Sequence, residues 1–191
     1  QPTIPPPTVE GQTSPSPASS GGIFPDVLPD LDPSRMGIQI EGNLDQVDWD
    51  EAMRRVGPEQ LALGWIKVQI PWKDMQPSSP NDVSTFFQQL SIYLEDAKVR
   101  HLSVLVSIAK APAWARSTTD QDGPPNDPQA YANFITLLLN QLKGNVDAIE
   151  IWNEPNLSRE WTGGLELSGA GYMQLFAPAY QAIRAYSSTI Q

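Results

Sequence analysis

The sequence has no cysteine and a single histidine, His101. Without thiols the chain can form neither disulfides nor thiolate-based metal sites. One imidazole cannot supply the set of nitrogen ligands on which a histidine-built metal centre depends. We therefore expect no metal and no other cofactor. His101 precedes a predicted strand, at the end of the sheet opposite to the one where ligands bind, and we expect it to be structural.

Positive charge is also scarce. The 191 residues include 12 Lys+Arg against 22 Asp+Glu, which gives a formal net charge of -10. Nucleic acids and anionic membrane surfaces are bound by clustered Lys and Arg, so the composition argues against both as partners. No apolar run in the sequence is long enough to span a bilayer. The balance of charge suits a neutral or cationic ligand.

Residues 1–33 differ from the rest of the chain because Pro, Ser, Thr and Gly dominate them, as in QPTIPPPTVEGQTSPSPASSGG. Such a segment buries too little apolar surface to offset the entropy lost on ordering. We interpret residues 1–33 as a disordered linker or stalk, partly polyproline II, and residues 34–191 as the folded domain. Stalks of this kind often tether secreted domains, which predicts an extracellular or cell-surface location. A disordered tail with no particular address is the alternative. Because the chain begins at Gln1, we expect a mature or trimmed product.

From Met36 onward, short apolar runs alternate with segments of helical periodicity. The runs predict four strands, at residues 37–41, 65–70, 102–108 and 148–152. Four consecutive strand–helix units imply a parallel sheet with right-handed crossovers. A (β/α)8 barrel and a doubly wound sheet both begin in this way.

The helical segments carry recognisable end signals. A stripe of apolar residues predicts a helix over 83–97, with Asn81 or Asp82 as its N-cap. Another helix has Asp127 as N-cap, a proline at its first position and Gly144 just past its end. A helix near 48–56 is interrupted by Gly57-Pro58 and resumes to residue 63. In the last helix, around 172–183, Pro178 predicts a kink.

Strand parity favours the barrel. On the second strand Ile66 and Val68 share one face, while Lys67 shares the other with polar neighbours. A doubly wound sheet is covered by helices on both faces and is apolar on both. Here one face is apolar and the other is polar, as in a barrel with a polar interior. A carboxylate inside a barrel needs a partner, so we predict that Glu150 faces Lys67 in the interior.

The carboxyl ends of parallel strands are where ligands bind in these architectures. Three successive loops each offer a tryptophan there, together with amides and carboxylates. Indole faces stack on the C–H-rich faces of pyranose rings, and amides and carboxylates hydrogen-bond sugar hydroxyls. We therefore predict a carbohydrate ligand. The candidate residues are Glu41, Asn43, Pro71, Trp72, Lys110, Pro112, Trp114, Asn153, Glu154, Pro155, Asn156 and Trp161.

The segment WNEPN, at residues 152–156, resembles the fourth-strand signature of clan A glycoside hydrolases, which are retaining enzymes on a TIM barrel. The longer stretch EIWNEPNLSREW with the downstream GYMQLFAPAYQAIR is similar to the xylosidase/iduronidase-type branch, as is KAPAWAR after the third strand. The resemblance covers roughly residues 36–186. It implies a hydrolase of β-linked glycosides or polysaccharides.

The resemblance also implies residue roles. Glu154 matches the general acid/base, and Asn153 matches the amide that binds the sugar 2-hydroxyl. Simple alternation places these two side chains on opposite faces, so we expect the strand end to bend. Trp114 and Trp161 are expected to be subsite walls. Trp72, Asn156 and Glu41 are further substrate-binding candidates, although Glu41 is equally well explained as a solvated loop acid.

A retaining glycosidase needs a second carboxylate as nucleophile, about 5 to 5.5 Å from the first. In the resembling family it ends the seventh strand, and no position here matches it. Glu160 and Glu166 follow the fourth strand without a motif. We therefore expect the N-terminal half of a longer glycosidase, inactive alone. Three alternatives stay open: a half-barrel completed by a partner chain or a copy of itself, a non-catalytic carbohydrate-binding or cell-surface module, and an α/β enzyme unrelated to carbohydrates.

Overall fold

The computed structural model describes residues 31–42 and 44–191. The predicted stalk at 1–33 therefore lies almost entirely outside the described residues, as does Asn43, and both stay predictions. Within the described ranges no helix is long and apolar enough to cross a membrane.

The sheet has four parallel strands: β1 (Gly37–Glu41), β2 (Trp65–Pro71), β3 (Ser103–Ala109) and β4 (Ala148–Ile151). Their spatial order follows the chain, β1-β2-β3-β4. With right-handed crossovers, this order places every connecting helix on the same face of the sheet. A doubly wound sheet instead reverses its order at a switch point. The fold is therefore the first four units of a (β/α)8 barrel, as strand parity predicted.

The helices are α1 (Gln46–Val56), α2 (Trp72–Met75), α3 (Thr85–Val99), α4 (Pro128–Leu142) and α5 (Gly169–Tyr186), and short 3-10 turns occupy Pro33–Arg35 and Ala113–Ala115. They pack on the apolar face of the sheet, where Ile66, Val68 and Ile70 are fully buried. The alternate residues of β2, including Lys67 and Gln69, lie on the interior face and are only half-buried. The helix side therefore forms the hydrophobic core.

On the interior face, Lys67 and Glu150 form the predicted ion pair across β3, with 2.5 Å between Lys67 Nζ and Glu150 Oε2. The ammonium and carboxylate groups are therefore in direct contact. The two side chains are 27% and 40% exposed, since the interior face of the half-barrel is open. The prediction that they face one another is confirmed.

The observed helix ends confirm the predicted ends of α4 and correct the predicted start of α3 and the predicted end of α1. In α4, Asp127 Oδ1 accepts the Gln129 amide at 2.9 Å, and Gly144 follows the last turn at φ 87°. The predicted start of α3 at residue 83 was wrong, because the helix begins at Thr85. Its N-cap is Ser84, whose backbone N–H donates to the Met75 carbonyl. The α1 helix ends at Val56 and does not resume, since residues 57–62 form hydrogen-bonded turns.

Asp82, one of the two predicted caps, instead accepts hydrogen bonds from the backbone and hydroxyl of Ser78. Its carboxylate therefore stabilises the preceding turn rather than the helix. The α5 helix is continuous from Gly169 to Tyr186 and contains Pro178.

The segment after α5 returns to the free edge of β4. The Gln191 amide donates to the Asp147 carbonyl at 2.9 Å, and the Gln191 carbonyl accepts the Ile149 amide at 2.9 Å. This pair of bonds is the pattern of a parallel bridge to Ala148. Ile190 beside it is buried in the core. Gln191 therefore takes the place next to β4 that a fifth strand would use.

Candidate active site

The end of β4 bends sharply, as the alternation argument required. The strand ends at Ile151, and Trp152 and Glu154 both have left-handed backbones, with φ of 69° and 48°. A bulky L-residue in this region is a strained conformation that persists only when its surroundings enforce it. Because of the bend, the side chains of Asn153 and Glu154 no longer point to opposite faces of the sheet. Both can therefore contact one ligand at the end of β4.

Buried contacts around Trp152 hold this bend in place. Its backbone N–H donates to the Ile108 carbonyl at 3.1 Å and to the Tyr131 hydroxyl at 3.3 Å. The same hydroxyl donates to the Ile108 carbonyl at 2.7 Å. Burial raises the pKa of Tyr131, so its hydroxyl stays protonated and able to donate. The Trp152 indole N–H in turn donates to the Glu160 carbonyl at 3.1 Å.

Glu154 lies at the surface beyond the bend, with 47% of its side chain exposed. Its Oε2 is 3.1 Å from Nη2 of Arg159, which donates to it. Arg159 Nε also lies 3.9 Å from a carboxylate oxygen of Glu160. The carboxylate therefore points to solvent and is held by a single exposed guanidinium.

The other predicted site residues lie as follows. Asn153 is half-buried at the bend, and Asn156 is exposed beside it. Glu41 is exposed at the end of β1. Strand register aligns Glu41 with Gln69, then Ser107, then Glu150, in one row across the interior face.

Two of the three predicted tryptophans, Trp72 and Trp161, are buried. Trp72 is fully buried in α2, stacked on Phe134 with ring centroids 5.2 Å apart, and its indole N–H donates to Gln76 at 2.8 Å. Trp161 is only 3% exposed, and its indole N–H donates to the Glu166 carbonyl at 2.9 Å. Neither indole has a free face for a sugar, because both fill the space between the sheet edge and the helices. Trp114 alone of the three is half-buried.

Sequence reasoning missed a set of contacts that join the loops after β3 and β4. Asp122 binds Lys73 Nζ at 2.8 Å and Lys110 Nζ at 3.4 Å, and its carbonyl accepts the Thr162 amide at 3.1 Å. Arg116 donates to the Thr162 carbonyl at 2.7 Å. These contacts fix the loop that carries Arg159 and Trp161. The two contacts of Thr162, with Asp122 and with Arg116, join residues 40 and 46 positions apart, so no local signal reveals them.

The electrostatics of Asp122 follow from its neighbours. Burial acts to raise the pKa of its carboxyl group, but the hydrogen bond from Lys73 and the charges of Lys73 and Lys110 outweigh burial and hold the pKa below its usual value. The next residue, Gly123, passes so close to the other loop that a Cβ would collide with the Thr162 carbonyl oxygen. Only glycine fits at this crossing.

No family model matches this sequence, and no curated protein matches it. Solved structures do. The catalytic domain of GH30 xylanase C from Talaromyces cellulolyticus has a TM-score of 0.59 at 15% identity, over 80% of this chain and 44% of that chain. A family 39 glycoside hydrolase from Bacteroides cellulosilyticus WH2 has a TM-score of 0.61 at 16% identity, over 86% and 32%. This chain therefore shares its fold with part of each of these two structures.

A β-glycosidase, BGL167, is similar to the same extent, with a TM-score of 0.61 at 16% identity, over 75% of this chain and 43% of that chain. This half-barrel therefore spans less than half the length of each of these three structures. At such identities the likeness is one of fold. It confirms the architecture that the WNEPN segment implied, four successive strand–helix units that match part of a barrel.

Proposed function

We propose that this chain is the acid/base half of a retaining glycosidase that hydrolyses a β-linked O-glycosidic bond. One observation carries the proposal. Asn153 and Glu154 lie beyond a strained bend, held by buried contacts, at the end of β4 in a fold shared with solved glycoside hydrolases. Backbone strain of this kind persists where the surrounding structure enforces a particular side-chain placement. The neighbours with this fold are a xylanase and glycosidases by name, which supports a saccharide substrate.

In this mechanism Glu154 works in both half-reactions. Protonated, it gives its proton to the glycosidic oxygen as the bond from that oxygen to the anomeric carbon breaks and a nucleophilic carboxylate bonds to that carbon. Ionised, it removes a proton from the water that then displaces the carboxylate. The Asn153 amide is placed to hydrogen-bond the 2-hydroxyl, an interaction that strengthens as positive charge develops on the ring.

The nucleophile lies outside this chain in the proposal. Glu160 and Glu166 both follow Glu154 in a loop and end no strand. The Glu160 side chain is 15% exposed beneath Arg159, and Glu166 accepts a hydrogen bond from the neighbouring Ser168 hydroxyl. Neither side chain lies at the carboxyl end of a strand that faces Glu154. The complete site therefore requires the strands that close the barrel.

The test uses aryl β-xylosides and β-glucosides with the barrel complete. Glu154→Gln should lower kcat by about a hundredfold or more, the usual loss when a general acid/base is removed. Glu166→Gln is the matched control, since this exposed acid belongs to the same loop. In Glu154→Ala, added azide should restore turnover and give a β-glycosyl azide, because azide attacks the glycosyl intermediate without needing a base. Unchanged kcat in Glu154→Gln would overturn the assignment.

A carbohydrate-binding module without catalysis is the second candidate. It is favoured by the absence of a second strand-end carboxylate near Glu154 in the described residues and by the half-buried ring of Trp114. Saccharide binding with no hydrolysis by the completed barrel would select it. For either function we propose an extracellular or cell-surface location, on the composition of residues 1–33.

A further inference from the structure

A pocket of about 290 Å³ opens between the segment that follows α2 and the first turns of α4. Its volume is near the lower end of the range for ligand pockets, about 300 Å³, which suits one monosaccharide unit. Glu154 does not line it. The lining residues are Gln76, Pro80, Trp114, Asp127, Ala130, Asn133, Phe134 and Leu137.

Trp114 is held rigidly where it lines this pocket. Its indole N–H donates to the Gln76 carbonyl at 2.7 Å, and its ring meets Trp72 edge-on with centroids 5.5 Å apart. These two contacts fix the position and the tilt of the Trp114 ring. A fixed, half-buried indole loses little conformational entropy when a ligand stacks on it.

The opposite side of the pocket offers polar groups. Asn133 Oδ1 accepts from Gln129 Nε2 at 3.0 Å, and Asp127 Oδ1 accepts the Gln129 amide at 2.9 Å. The Asn133 amide nitrogen and the second Asp127 oxygen make no hydrogen bond among the described residues. One donor and one acceptor on exposed, pocket-lining residues are therefore available to a ligand.

The position of the pocket distinguishes it from the open edges of the half-barrel. All of its lining comes from residues 76–137, between β2 and the end of α4, and none of it from β1 or β4. Two buried rings, Tyr131 and Trp72, separate Trp114 from Trp152 at the β4 bend, in steps of 5.7, 5.8 and 5.5 Å.

We propose that this pocket binds a neutral sugar unit of a glycan, with the ring on Trp114 and hydroxyls on Asn133 and Asp127. The donor and acceptor match a hydroxyl pair, and the carboxylate disfavours an anionic sugar. The proposal rests on the proposed function only for the class of ligand, a saccharide. It gives Trp114 a role apart from the acid/base strand, in place of the subsite wall expected from the sequence.

The test is a titration of the 15N-labelled 191-residue chain with xylohexaose and with cellohexaose. The Asn133 side-chain amide and the Trp114 indole signals should shift and saturate together. Asn133→Ala should weaken binding about three- to tenfold, the usual cost of one neutral hydrogen bond. Trp114→Ala should weaken it about tenfold or more. Asn140→Ala is the matched control, because Asn140 is exposed on the same helix outside the pocket.

Affinity equal to wild type in Asn133→Ala and Trp114→Ala, or no shift at either position with both saccharides, would overturn the proposal. Asn133 is exposed, so its substitution keeps the test valid even if loss of Trp114 unfolds the chain. Failure of the glycosidase assay with intact binding here would reject the proposed catalysis alone, and the reverse result would reject this pocket alone.

Discussion

The Tyr131 hydroxyl lies 3.3 Å from the backbone nitrogen of Trp152, whose N–H donates to it, and so joins α4 to the strained bend at the end of β4. The oxygen also donates to Ile108 on β3, so one buried group links the helix to two strands. The residues proposed for catalysis come directly after this junction. The bend therefore depends on a helix residue that takes no part in the proposed chemistry.

Tyr131→Phe should lower the free energy of unfolding by about 1–2 kcal/mol, because the Trp152 amide and the Ile108 carbonyl lose a buried partner. It should also move the backbone amide signals of residues 152–154. Tyr93→Phe is the matched control, since its hydroxyl donates to the Leu44 carbonyl at 3.2 Å, far from β4. Urea unfolding and amide NMR measure both effects. Unmoved signals at 152–154 in Tyr131→Phe would contradict the anchoring role.

The Lys67–Glu150 pair should contribute a coupling energy of at most about 1 kcal/mol in the 191-residue chain, because both side chains are partly exposed and water screens the charges. A double-mutant cycle with Lys67→Met and Glu150→Gln measures it. The exposed Arg54–Glu51 pair of α1 provides a comparison cycle, with a weak coupling expected because water screens both charges. Because closing the barrel removes water from the interior, the coupling should rise in the completed protein. A coupling that is unchanged there would contradict an interior location.

Asp122 should stabilise the joined loops at neutral pH. Its folded pKa is below its unfolded value of about 3.9. The stabilisation is therefore complete above about pH 4 and is lost as the pH falls through the folded pKa. Asp122→Asn should destabilise the chain at pH 7, and the difference from wild type should shrink toward pH 3 in urea unfolding.

Asp120→Asn is the control for this effect, because Asp120 is an exposed acid in the same loop. It should leave the unfolding free energy within about 0.5 kcal/mol of wild type at both pH values. A loss in Asp122→Asn that is equal at pH 7 and pH 3 would show that packing, and not the two lysine contacts, is responsible.

Replacing the buried Trp72 should cost more unfolding free energy than replacing the half-buried Trp114. Trp72→Ala should cost about 3–5 kcal/mol, because it empties a fully buried site against Phe134. Trp114→Ala should cost less, about 1–2 kcal/mol, because part of that ring already faces solvent. Chemical unfolding of the two variants gives the comparison. Equal losses would mean that Trp114 is also a core residue.

Alternation predicted the strands to within one residue and placed Lys67 opposite Glu150, because side-chain period in a strand is fixed by backbone geometry. Paired local signals at Asp127 and Gly144 likewise predicted both ends of α4. These features depend on neighbours in sequence. The architecture followed from them once the sheet face of each residue was known.

The positions of Trp72 and Trp161 did not follow from local signals. A tryptophan just past a strand end can face the ligand or the core, and the direction is set by the turn that comes next. At Trp72 a helix begins immediately and turns the ring inward, while at Trp161 the indole N–H finds the Glu166 carbonyl. The same holds for Asp122 and Arg116, whose partners lie in other loops. Contacts of this kind depend on how distant segments meet.

The bridge between Gln191 and Ala148 sets the register of the segment after α5 against β4. Ala148 shares the interior face with Glu150, so Gln191 lies on that face as well. Two backbone hydrogen bonds thus fix the register of Gln191 against β4. A shift of one residue would turn the Gln191 side chain from the face that carries Glu150 toward the helices, and it would remove Ile190 from the core.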